Sequence, residues 1–340
     1  MNNKLVLAAF LLAALALPVQ AVHAEGKAGH KPGANAFPKI VSALTGAPPE
    51  GFTIGRGTTA YAGSVDGSIY KVDLRSGKGE ILVPPVPGFD LFAGDCYKLG
   101  MRVDPRSNYL FVAGCVVGNA MVFDAATGKE IMNYELAPFG TVINDLAITR
   151  KAVYFTDFTG ASGPFLYRLP LSKNGRLPKN NAVLPIALTG DFLTDDQNGD
   201  PGYKANGIVA TRNGKTLIVG NSNNAQIYRV DPGTGHTDRI VLDQPLVGFI
   251  DGIVLRNRKL YILTPSLDPA APDSIQVVAL DKGLRSGTLV GRITDPDLDG
   301  VASGAFFGNS LYVNNARYFT FPGPDTEYWL TRLSIKNVQP

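Results

Sequence analysis

The chain is patterned in short strands. Between Ala205 and Asp231 the sequence reads ANGIVATRNGKTLIVGNSNNAQIYRVD. Ile208 to Ala210 is a brief apolar run, Asn213-Gly214 is a strong hairpin-turn signal, and Thr216 to Val219 and Gln226 to Val230 answer as second and third strands. The same grammar recurs along the chain. Unit starts read PEGF at Pro49, LGMRV at Leu99, INDLAI at Ile143, ANGIVA at Ala205, IDGIVL at Ile250 and ASGAFF at Ala302. Second strands follow as TTAYAG, NYLFVAG, KAVYFTD, KTLIVGN, KLYILTP and NSLYVNN, and third strands as SIYKVDL, NAMVFDA, FLYRLPL and QIYRVDP in the first four units. Starts lie about 45 to 60 residues apart, a spacing of propeller blades. Six such units without helical periodicity predict an all-β fold, a six-bladed β-propeller whose first strands line a central tunnel. Phe37 to Leu44 is the segment expected to close the ring by pairing into the last blade. A pair of β-sandwiches is the alternative, and it leaves six similar units unexplained.

The first residues depart from this grammar. Lys4, the apolar run Leu5 to Leu17 and the small-residue site Val22-His23-Ala24 read as a secretory signal peptide over residues 1–24, with cleavage after Ala21 as the second choice. Residues 25–36 read as a flexible lead-in, and 37–340 as a single propeller domain. The expectation is an exported protein, periplasmic or extracellular. No later run has the roughly 20 apolar residues of a membrane span. A formal charge of +3 dispersed along the chain, without Lys/Arg clusters, argues against nucleic acid and against membrane insertion. Cys96 and Cys115 flank a hairpin turned at Pro105 to Asn108. In an oxidising compartment they read as a disulfide, with two buried thiols as the alternative.

If the six units are equivalent, the residues that lead into their first strands converge on one axis. In order they are Glu50, Leu99, Asn144, Asn206, Asp251 and Ser303. Glu50, Asn144, Asn206 and Asp251 carry carboxylate or carboxamide oxygen, which is costly to bury unpaired. A hard cation resolves that cost, and calcium accepts such mixed oxygen shells. The glycines after Glu50, Asn206 and Asp251 would let backbones approach closely. The competing reading is structural, because Glu-Gly, Asn-Gly and Asp-Gly are also common turn dipeptides.

PEGF, the IND before LAI, ANGIVATRNGKTLIV and IDGIVL resemble the motifs of the regucalcin/gluconolactonase family, and more distantly those of the paraoxonase and diisopropyl-fluorophosphatase propellers. The similarity runs from about Pro49 to Leu333 and is most specific around Asn206. It implies a six-bladed, calcium-dependent propeller hydrolase with Glu50, Asn144, Asn206 and Asp251 as metal ligands. It also implies Asp251 as the base in lactone or ester hydrolysis; Asp145 is the second candidate. The chain departs from the paraoxonase pattern, which places a histidine pair above the calcium. Only His23, His30 and His236 exist, none of them near a first strand. The same scarcity argues against a copper, iron or manganese redox site. No G-x-S-x-G elbow is present for a serine hydrolase.

Around this centre a substrate rim is expected from Asp157, Phe192, Tyr203, Asn221, Arg317 and Tyr318. Leu188 to Lys204 would form a lid walled by Phe192 and Tyr203. Asp195, Asp196 and Asp200 in that segment do not match an EF-hand and read as a solvated acidic loop. Asp157 and Asn221 are equally turn caps, and Arg317 and Tyr318 equally an exposed loop. Two functions follow: an exported calcium-dependent hydrolase of lactones or esters, or a non-enzymatic propeller whose calcium is structural and which binds a ligand or protein partner.

Overall fold

A computed structural model describes residues 37–160, 165–194, 205–336 and 338–339. The leader, the lead-in with His30, and Asp195, Asp196, Asp200 and Tyr203 of the expected lid lie outside the described residues.

Six sheets stand around one axis as a six-bladed β-propeller, each with antiparallel strands running in chain order from the inside out. Thr189–Gly190 and Val241–Leu242 add a short parallel strand at the outer edge of blades four and five, and the N-terminal strand closes blade six. The innermost strands are Pro49–Ile54, Met101–Asp104, Ile143–Ile148, Ala205–Ala210, Ile253–Arg256 and Val301–Phe307. Third strands also exist in the last two blades, Ser274–Leu280 and Gly323–Ser334. These lack the aromatic-plus-aspartate ending of SIYKVD, NAMVFD and QIYRVD in blades one, two and four, which hid them from the sequence pattern. The ring closes as expected: Ile40–Gly46 pairs antiparallel with Gly323–Ser334, matching Ile40 with Thr331 and Leu44 with Tyr328. The N-terminal strand thereby becomes the outermost strand of the last blade.

Hydrophobic core lies between blades. Phe111, Val122, Val153 and Phe155 pack together across blades two and three, and Tyr154, Ile208, Val219 and Tyr228 across three and four. Each second strand is covered by neighbours on both sides. Ala152–Asp157 is accordingly buried at every position, and its sequence runs apolar rather than alternating.

Near the axis one backbone device is repeated. In the third blade Ile143 faces Asp157 and Leu146 faces Phe155, so Asn144 and Asp145 share one opposite residue. This is a β-bulge, which bends a strand and re-aims its side chains. Asn206 and Gly207 form the same bulge in blade four and Ala302 and Ser303 in blade six, while Glu50 is the extra residue in blade one. In blade five Asp251 N donates to Leu263 O while Leu263 N donates to Gly252 O; in blade two Leu99 N and Ala113 N do the same around Gly100. The register corrects one alignment: Ala302, not Ser303, is the counterpart of Asn206 and Asp251.

The second bulge residue links each blade to the next. Gly100 N donates to Asn144 O at 2.8 Å, Gly207 N to Asp251 O at 3.1 Å and Gly252 N to Ala302 O at 2.9 Å. A side chain at Gly207 or Gly252 would lie 2.4 Å from that carbonyl oxygen, so both positions require glycine. Asp145 and Ser303 do carry side chains, and there the bond is relayed. Asp145 N donates to Thr156 Oγ1, which donates to Asn206 O, and Ser303 N donates to Asn314 Oδ1, whose amide donates to Pro49 O.

Candidate functional site at the propeller axis

The bulges bring their side chains to one place. Glu50, Leu99, Asn144, Asp145, Asn206, Asp251 and Ser303 line a single narrow cavity where the first strands begin. Asn206 and Asp251 are buried, and Glu50 and Asn144 are half-buried. Asp251 accepts hydrogen bonds from Asn206 and, at 2.7 Å, from the Tyr318 hydroxyl. Glu50 also feels the Tyr318 hydroxyl. That hydroxyl therefore sits on Asp251 near the second carboxylate, at the seam of the ring.

The electrostatics are those of anionic oxygens crowded out of water. Burial, reinforced by the charge of Asp251, holds Glu50 well above the usual carboxylate range. Burial pushes the Asp251 carboxyl up to about 7, with Asp145 adding to the rise and the bonds from Tyr318 and Asn206 opposing it. Burial among these acids raises the Tyr318 phenol well above its ordinary value.

Asp145 faces the other way. Its Oδ2 accepts from Ile208 N at 3.2 Å and from Arg102 Nη2 at 3.3 Å. Its Oδ1 is buried with no hydrogen-bond partner, although an unpaired buried acceptor is costly. Arg102 is in turn held by Met101 O and Phe52 O. The Asp145–Arg102 pair thus separates the narrow cavity from a wider one of about 560 Å³ at the far mouth, walled by Ile148, Val209 and Leu255.

No family model matches the chain, and no curated protein does. Solved structures do. A protein of unknown function from Bacteroides thetaiotaomicron is 13% identical, with 88% of this chain and 72% of that one covered at a TM-score of 0.58. A luciferin-regenerating enzyme is 13% identical over 88% of this chain and 94% of its own, at 0.55. A protein from Lactobacillus plantarum is 17% identical over 80% and 79%, at 0.53. The likeness is one of fold.

The remaining expected rim residues take other roles. Asp157 Oδ1 accepts from Thr159 N, Thr159 Oγ1 and Gly160 N, and Asn221 Oδ1 accepts from Asn223 N. Both cap the turns after second strands. Phe192 is not a rim wall: it is fully buried, with its ring tilted against Phe165 and edge-on to Tyr228 in the core of blades three and four. Arg317 points away from the cavity and lies over the Trp329 ring at 4.9 Å, with its Nε 3.1 Å from Asp299 Oδ2. Of the described rim candidates Tyr318 alone reaches the carboxylates. Cys96 and Cys115 are joined in a disulfide with Cα atoms 5.6 Å apart, next to Leu99 in a cluster that also holds Val65 and Phe158. His236 lies on an exposed outer strand.

The Arg102–Asp145 pair and the Tyr318 contact were not anticipated. Arg102 stands three residues beyond Leu99, the one large aliphatic side chain among the axial residues. A cation there facing an acid in the next unit was the available signal. Among the described residues no three His, Cys, Asp or Glu side chains gather into a metal cluster. The axial set is mixed, two carboxylates with two carboxamides.

Proposed function

We propose that this protein is an exported, calcium-dependent hydrolase of lactones or related esters, of the regucalcin/gluconolactonase kind. The observation that carries this reading is the convergence of Glu50, Asn144, Asn206 and Asp251 on one cavity from four separate blades. The donor set suits a hard cation: oxygen only, two of the four anionic, in a site where uncompensated carboxylates hold protons they would lose in water. The unpartnered Asp145 Oδ1 nearby points the same way. A disulfide in the chain fits an oxidising compartment, in line with the leader read at residues 1–24.

Bound there, a divalent cation would polarise an ester carbonyl and stabilise the oxyanion that forms. The chain supplies the rest. Asp251 takes the proton of the attacking water, and its contribution is mainly placement, since Asn206 holds its carboxylate. Asp145 is held by Arg102 and Ile208 N, below the cavity and turned from its open side, which makes it the weaker base candidate. Leu99 and the glycine backbones leave that wall apolar and tight.

The test is proton release from a panel of sugar and aliphatic lactones, with protein stripped by chelator and resupplied with calcium. Activity should vanish and return with the metal, and Asp251→Asn should lower kcat by at least about 100-fold. A second reading, a non-enzymatic propeller with a structural calcium, is favoured by one observation: Tyr318 covers the carboxylates from the rim. Bound calcium with no turnover across the panel would select it.

A further inference from the structure

We propose that Tyr318 is a positioning residue that keeps the place of the axial cation: its hydroxyl is seated on Asp251 Oδ2, and a cation takes that oxygen only when the hydroxyl swings out. This inference rests on the cation reading above and adds a gate to it.

The hydroxyl oxygen lies 2.7 Å from Asp251 Oδ2, with Glu50 close enough to feel it. A calcium ion shared by the same carboxylates would sit about 2.3–2.6 Å from their oxygens. Phenol and ion therefore compete for Asp251 Oδ2. Tyr318 also comes from the right sector. Blade six places Ala302 at the register where blades three, four and five place Asn144, Asn206 and Asp251. It offers no first-strand oxygen of that kind, and Tyr318 fills the gap from the turn after its second strand, Ser310–Asn315.

That turn is built to hold the residue in place. Arg317 adopts left-handed backbone at φ 53°, lies over Trp329, pairs with Asp299 and donates to Glu327 O at 2.8 Å. Ala316 N and Arg317 N donate to Gly300 O and Asp299 O, at 2.7 and 3.0 Å. Gly300 is pressed so close that a side chain there would lie 2.8 Å from Arg317 N. With the backbone fixed, release falls to rotation of the Tyr318 side chain. A phenol has one proton to donate, so it compensates one carboxylate at a time and yields to a divalent ion that compensates both.

Calcium titration calorimetry on the chelator-stripped wild type and on Tyr318→Phe decides the matter. Removing the hydroxyl should tighten calcium binding roughly tenfold, the worth of a hydrogen bond to a charged group. A hydroxyl that merely supports Asp251 as a ligand predicts the opposite sign. Calcium should also produce a near-ultraviolet tyrosine difference spectrum in the wild type that Tyr318→Phe lacks; this readout stands even if the variant folds poorly, since Arg317→Ala, which loosens the turn, should tighten binding in the same direction. Calcium bound by the wild type without a tyrosine signal, or bound no tighter by both variants, overturns the gate and leaves the cation centre intact. A wild type that binds no calcium removes both.

Discussion

Asp251 gathers more of the site's chemistry than any other residue: it meets Asn206 and Tyr318 by hydrogen bonds and Asp145 and Glu50 by charge. Its raised acidity has a consequence for stability. A carboxyl at about 7 in the fold, against an ordinary 3.8, keeps a proton that the unfolded chain gives up. The stabilisation is complete below the ordinary value and is lost as pH rises through the folded one. Glu50, Asp145, Asp157 and Asp273 are shifted the same way by burial. Asp73, Asp124 and Asp281, lowered chiefly by backbone hydrogen bonds, lose their contribution only at more acid pH. The metal-free protein should therefore melt at progressively lower temperature as pH climbs from about 4 to about 7. Asp251→Asn should flatten that slope, and calcium at neutral pH should restore the wild-type Tm. A chelated wild type whose Tm is level or rises across this window would contradict the assignment.

At the scale of strands, the bulge decides what the site can be. It places one side chain per blade on the axis and hands the next N–H to the neighbouring blade, so ligand placement and ring cohesion are one device. Gly207→Ala tests this, because its methyl would lie 2.4 Å from Asp251 O and 2.9 Å from Ile253 N, both backbone atoms that cannot turn away. Overpacking of this kind costs about 1–3 kcal/mol; the urea midpoint should fall accordingly, and calcium affinity should fall with it because Asp251 is the group displaced. Loss of stability without loss of affinity would separate the two roles. The same device explains what was legible in the sequence. Asn206-Gly207 and Asp251-Gly252 stand out because the direct bond to the next blade leaves room only for glycine in second place, and function asks for a polar residue in first. Blade six was misaligned by one residue because Ala302-Ser303 has neither mark, and its relay through Asn314 depends on a contact 265 residues away in sequence. Tyr318 could be placed near the rim but not onto Asp251, since a turn's side-chain direction depends on Arg317, Asp299 and Trp329 together.

For the whole molecule the seam of the ring is the decisive place. The closing strand ends at Gly46, and Glu50 follows four residues later, while Tyr318 belongs to the blade that the strand completes. One side of the carboxylate cluster is therefore attached to the closure and the other to what it closes. Leu44 is 2% exposed, packed with Tyr70, Tyr312 and Tyr328 between the last blade and the first. Leu44→Ala removes buried side chain at a site too rigid to collapse and should cost about 3 kcal/mol. If closure and the axial centre are coupled, the loss extends beyond stability. The seam loosens where Glu50 sits, so calcium should bind more weakly to this variant than to one of equal instability far from the seam. Leu169→Ala, in the core between blades two and three, supplies that control. Equal calcium affinities in the two variants would show that the centre is held by its bulges alone, and that closing the ring stabilises the fold without setting the site.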